Sequence, residues 1–144
     1  MMVFADSSAL VKLYVAETGT AAMRHLTEDA DVLVSFLAFA ETIATFTRLF
    51  REERLTREAF SEVCADFQAD WVSFFRLPLD SGLEPLIMEL CQRHSLRGAD
   101  AVHLASTVML VREGLELVFA CNDQRLVEAA RAEGLDVFDP AHHD

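Results

Sequence analysis

Short apolar runs that alternate with helix-patterned stretches constrain this chain more than any other feature. VFA at 3–5, DVLVS at 31–35 and LELVFA at 115–120 are rich in valine, leucine and phenylalanine, and stretches with apolar residues every three or four positions separate them. FFRLPL at 74–79, closed by Pro78, and Leu135 to Phe138 read as two further strands. Strands separated by helices pair in parallel through crossovers. The predicted fold is therefore α/β: a three-layer α/β/α sandwich around a central, mainly parallel sheet.

Helical spacing covers SALVKLYVAE, Thr20 to Thr27, Phe36 to Glu53, Thr56 to Phe67 with an extension toward Trp71, Gly98 to Arg112, and Asp123 to Glu133. The long third segment carries Phe36, Phe39, Ala40, Ile43, Phe46 and Phe50 along one stripe. Ser81 with Glu84 three positions on predicts a capping box that opens a helix running to His94.

The chain has 144 residues, of which 52% are hydrophobic, enough for one packed domain over 1–144. There is no internal repeat. No apolar run approaches bilayer length and no signal peptide is evident, so the expected location is the cytoplasm. Cys64, Cys91 and Cys121 are odd in number and scattered, and read as reduced thiols in a core. His142 and His143 read as inert tail residues. The formal charge of −12 argues by itself against nucleic-acid binding. All basic residues except Lys12 are arginines, whose planar fork suits phosphate.

The acidic residues are placed unevenly. Asp6 directly follows the first strand, and Asp123 follows the LELVFA strand after Cys121 and Asn122. In open parallel sheets, sites form at these carboxyl ends. Asp100 opens a helix whose N-terminus can face the same edge, and Glu41 sits inside the apolar FLAFAETIATF. Each aspartate alone is explained by capping, and Glu41 by the rim of its helix or a pairing with Arg48. Taken together, several half-buried carboxylates need a compensating cation. Oxygen donors without histidine or cysteine suit Mg²⁺ or Mn²⁺.

VFADSSALVKLYVAE, AETIA, LRGADAVHLAS and VFACNDQRLVEAA resemble the successive motifs of the PIN domain, most closely those of the VapC-like toxin ribonucleases of toxin–antitoxin pairs. The resemblance runs nearly end to end. It implies a PIN-like fold and metal-dependent hydrolysis of RNA phosphodiesters to 5′-phosphate and 3′-hydroxyl ends. The implied metal ligands are Asp6, Glu41, Asp100 and Asp123, with Glu41 alternatively accepting a proton from the attacking water. Ser7 and Ser8 would orient Asp6 or a water, with Cys121 and Asn122 beside the last aspartate. Cys121 stands where the family usually has serine or threonine, and a thiol is the weaker hydrogen-bonding group.

Lys12 and Arg97 are the expected phosphate contacts, and Arg48, Arg51 and Arg54 form a possible arginine row. His103, one turn after Asp100, is expected to pack or to support the site without being its base. The implied partners are RNA, a DNA-binding VapB-like antitoxin and a second copy in a homodimer, with no membrane. Two other functions fit parts of this pattern. A PIN fold could serve only as a binding module. A phosphatase with an aspartyl nucleophile wants a second acid two residues later, where this chain has Ser8.

Overall fold

A computed structural model of the chain describes residues 1–142, so His143 lies outside the described residues. The strands are β1 (Met2–Ala5), β2 (Asp31–Ser35), β3 (Phe75–Leu77), β4 (Val118–Ala120) and β5 (Asp136–Phe138). The helices are α1 (Ser7–Val11), α2 (Thr20–Thr27), α3 (Leu37–Arg51), α4 (Arg57–Trp71), α5 (Glu84–Arg93), α6 (Gly98–Arg112) and α7 (Gln124–Ala132).

All strand pairs are parallel, in the order β3-β2-β1-β4-β5. Val3 is in register with Val32 and Val118, and Phe4 with Leu33 and Phe119. Alternation along the strands then divides the core. Val3, Ala5, Val32 and Val34 meet Leu10, Met23, Ala38, Phe46, Phe67 and Trp71 from α1 to α4. Phe4, Leu33 and Phe119 meet Leu90, Leu104, Ala105, Leu126 and Val127 from α5 to α7. The result is the expected three-layer sandwich.

The strand order determines where a site can form. The chain steps outward from β1 through β2 to β3, then crosses back to lay β4 on the other side of β1. The order reverses between β1 and β4, and connections leaving that point in opposite directions open a crevice at the carboxyl ends of these two strands.

Several local expectations are corrected. The helix predicted over SALVKLYVAE stops at Val11, where bonds from Lys12 N to Ala9 O and Leu13 N to Leu10 O tighten the chain into turns. The predicted Ser81/Glu84 capping box does not form. Asp80 instead accepts from Gly82 N and caps a 3₁₀ turn, Ser81–Leu83, ahead of α5. In α3 the buried face is Ala38, Thr42, Phe46 and Leu49, while Phe36 is 55% exposed. The predicted stripe misjudged the rotation because the larger rings, Phe39 and Phe50, pack sideways on Phe67, Trp71 and Phe60 of α4. Cys91 is exposed and lies outside the core. His142 is not inert: its Nδ1 is 2.9 Å from Asp139 Oδ2.

Gly19 begins α2 with φ of 92°, and a Cβ there would lie 2.7 Å from Pro140 O. Among the described residues no helix is long and apolar enough to cross a membrane.

Candidate active site

Each acidic residue reaches the crevice for a local reason. Asp6 ends β1 and caps α1, its Oδ1 accepting from Ala9 N at 2.9 Å. Asp123 leaves β4 and caps α7, accepting from Leu126 N at 3.1 Å. Asp100 caps nothing. It sits in the first turn of α6, where its carboxylate accepts from Arg97. Glu41 lies one turn into α3, just after β2. Capping is therefore real for Asp6 and Asp123, yet both also border a common space. Asp6, Glu41, Asp100 and Asp123 line one cavity of about 690 Å³.

Ser8 ties the two central strands together at this point. Its hydroxyl lies 2.8 and 2.9 Å from the two Asp6 oxygens, and it accepts from Asn122 N at 3.1 Å. Ser7 lines the cavity as well. Asn122 Oδ1 is buried without a hydrogen-bond partner, at the cavity wall. Such an orphaned acceptor calls for an explanation, and a cation or water in the cavity supplies one.

The electrostatics show the cost of gathering acids. Burial, opposed by His103 and by the bonds from Ala9 and Ser8, raises Asp6 from 3.8 to about 6. Burial also raises Asp100, with Asp123 adding to the effect and Arg97 opposing it. Arg97 supplies the visible counter-charge: its Nε is 3.4 Å from Asp100 and a terminal nitrogen is 3.8 Å from Asp123. This guanidinium is 78% exposed, so it covers the mouth without filling the cavity.

His103 is the residue whose role the sequence left least defined. It is 1% exposed, and its Nε2 is 2.5 Å from Glu41 Oε1. A carboxylate only accepts, so Nε2 carries the proton. Burial pushes the imidazole down, but the bond to Glu41 and the charges of Asp6, Glu41 and Asp100 outweigh it and hold its pKa above 6.5. Glu41 thus pairs with His103, not with Arg48.

Two expected contributors lie elsewhere. Lys12 is 3% exposed, bonds its ammonium to Thr18 O at 2.7 Å and Glu17 at 3.1 Å, and does not line the acidic cavity. Cys121 is wholly buried in the apolar cluster around Phe4 and Leu126, and Asp123 is positioned by Leu126 N without it. Burial first, then the surrounding carboxylates, push its thiol far above its ordinary value, so it stays protonated.

Residues 3–132 match the PIN domain family, and the chain belongs to it. It is 36% identical over 137 residues to Ribonuclease VapC45 of Mycobacterium tuberculosis, covering 94% of each chain. Among solved structures it resembles FitAcB from Neisseria gonorrhoeae with a TM-score of 0.70 and 18% identity, covering 99% of this chain and 100% of that one. It also resembles a toxin–antitoxin complex from Klebsiella pneumoniae with a TM-score of 0.59 and 18% identity, covering 96% and 97%. These structural likenesses establish the fold, and the five-stranded parallel sheet with helices on both faces agrees with it.

Proposed function

We propose that this protein is a divalent-metal-dependent endoribonuclease and the toxin of a toxin–antitoxin pair. The observation that carries this reading is the convergence of Asp6, Glu41, Asp100 and Asp123, from four separate elements, on one cavity at the switch point of the sheet. The similarity to a protein named as a ribonuclease supports it.

The donors present fit a hard cation. Carboxylates, Ser7 and the orphaned Asn122 oxygen line the cavity, while Cys121 is turned into the core and His103 is engaged by Glu41. Among the described residues no three acidic, imidazole or thiol groups stand close enough to encircle an ion as they are. Asp6, Asp100 and Asp123, with or without Glu41, would therefore hold Mg²⁺ or Mn²⁺ partly through water, with Arg97 moving aside. When bound, such an ion activates water and offsets charge building on the phosphate.

The chain's own groups do the rest. Ser8 and Ala9 N keep Asp6 in one orientation. His103 fixes one oxygen of Glu41 and leaves the other to take the proton of the attacking water. Arg97, released from Asp100 and Asp123, meets the phosphate. Water attacks phosphorus in line as the bond to the 3′ oxygen breaks. That oxygen takes a proton from solvent, leaving a 3′-hydroxyl and a 5′-phosphate.

A basic, DNA-binding antitoxin suits the acidic surface of a chain with net charge −12. Apolar side chains left exposed at Phe36, Val72 and Phe75 offer contact area to it or to a second copy in a homodimer, in the cytoplasm.

Incubation of the purified protein with labelled single-stranded RNA and either ion tests the reading. Cleavage that stops with a chelator and in Asp6→Asn is expected. A stable RNA with intact metal present would reduce the protein to a binding module. A phosphoaspartate trapped at Asp6 would make it a phosphatase.

A further inference from the structure

The acidic cavity is the middle of a longer depression. Toward α3 it continues into a cavity of about 500 Å³ that shares Ser8, Glu41 and Asn122 with it and ends at Thr45 and Arg48. Away from α3 it continues into one of about 270 Å³ that shares Arg97, Asp100, Asp123 and Arg125 with it and adds Ser95. Arg97 lines all three cavities, Arg48 lies at the α3 end beside Glu17, and Arg125 borders both the acidic cavity and the smaller one.

Arg48 and Arg125 are exposed, and among the described residues neither side chain makes an ion pair or hydrogen bond. The neighbouring arginines are partly occupied: Arg54 lies 3.7 Å from Glu52, and Arg57 stacks over the Phe50 ring. Arg48 stands two turns beyond Glu41 on α3, about 10 Å along the axis. Among the described residues no aromatic side chain lines any of the three cavities, so these linings offer bases no stacking platform.

Building on the nuclease reading above, we infer that this depression tracks the backbone of an extended single RNA strand. Arg48 and Arg125 take phosphates on opposite sides of the one held over the carboxylates, and the bases are left unstacked. The net charge of −12 does not oppose this arrangement. At physiological salt, charges more than about 8 Å away are largely screened, so guanidinium groups within the groove dominate what a phosphate meets. Arginine's planar fork also holds a phosphate by two bonds where lysine offers a point charge.

The test is the salt dependence of kcat/KM for a labelled, unstructured RNA of about twelve nucleotides, between about 50 and 200 mM KCl. Arg48→Gln and Arg125→Gln are each expected to reduce the slope of log kcat/KM against log salt by about 0.7, and the double variant by about twice that. Each raises KM about three- to fivefold, more than it lowers kcat, and by the same factor for RNAs of different base composition. Arg112→Gln makes the same charge change at the far end of α6 and leaves the slope at its wild-type value.

Unchanged slopes in Arg48→Gln and Arg125→Gln overturn the inference, as does an equal change in Arg112→Gln. Wild-type RNA kinetics combined with lost binding of polyglutamate would assign the groove to an acidic protein segment instead. A wild-type protein that cleaves no RNA removes the nuclease reading itself, whereas cleavage with unaltered slopes removes the groove assignment alone.

Discussion

His103 Nε2 lies 2.5 Å from Glu41 Oε1, joining α6 to α3 across 62 positions of sequence. Among the described residues its other ring nitrogen has no hydrogen-bond partner, so Glu41 supplies the imidazole's hydrogen bond there. The pair fixes which way the Glu41 carboxylate faces.

Breaking that pair is expected to impair turnover more than folding. His103→Leu should lower kcat for RNA cleavage about 10- to 100-fold with a small change in KM, the range found when groups supporting metal ligands are removed. His103→Gln, which keeps an N–H donor, should recover part of the loss. Steady-state kinetics of the two variants decide the matter, and equal activity in His103→Leu and wild type would reduce His103 to packing.

The acid cluster also sets the pH dependence of stability. Asp6, with its pKa near 6, binds its proton more tightly in the folded chain than in the unfolded one, where the ordinary value is 3.8. Keeping it ionised at neutral pH therefore costs about 3 kcal/mol, a cost that shrinks as pH falls below about 6 and is gone only below 3.8. His103 acts in the same direction: its contribution is fully present below 6.5 and is lost as pH rises through its higher folded value. Asp139 and Glu133 oppose this trend at acid pH. Burial raises both, but hydrogen bonds from Gln124 and His142 to Asp139, and from His94 and Arg93 to Glu133, leave them below their ordinary values. Their stabilisation is lost as pH falls through those folded values. The Tm of chelator-treated protein should thus rise as pH drops from about 8 to about 5 and fall again below about 4. A Tm that declines steadily from pH 8 downward would contradict the Asp6 assignment.

Gly19→Ala tests the fold independently of the chemistry. The added Cβ meets Pro140 O at 2.7 Å on a backbone with φ of 92°. A loss of about 1–3 kcal/mol in chemical denaturation is expected, with RNA cleavage per folded molecule unchanged.

The strand–helix alternation was legible because parallel strands buried on both faces read as continuous apolar runs. So were Asp6 and Asp123, since residues just after β1 and β4 fall at the sheet's carboxyl edge whatever the packing; Glu41 and Asp100 were singled out with them by the resemblance to the PIN motifs. Packing-dependent details were not legible. Lys12 looked available because sequence does not show that the turn after Val11 folds its ammonium back onto Thr18. Cys121 looked like a hydroxyl substitute beside Asp123, but it follows Ala120 into the apolar layer. The Glu41–His103 pair needed the crossing of α3 and α6, which no spacing along the chain encodes.

Cys121→Ser follows from that correction. Burying a hydroxyl in the apolar cluster around Phe4 and Leu126 should cost about 1–3 kcal/mol of stability without raising the cleavage rate. A tenfold gain in kcat, about 1.4 kcal/mol of barrier, would show that position 121 does reach the site.

On the nuclease reading, Asp6, Asp100 and Asp123 act together as one cation site. Titration of Mn²⁺ into the metal-free protein, followed by the loss of free-ion electron paramagnetic resonance signal, tests it most directly. Saturable binding is expected, weakened at least about tenfold in each of Asp6→Asn, Asp100→Asn and Asp123→Asn. Wild-type affinity in Asp100→Asn, or no saturable binding in the wild-type chain, would contradict it.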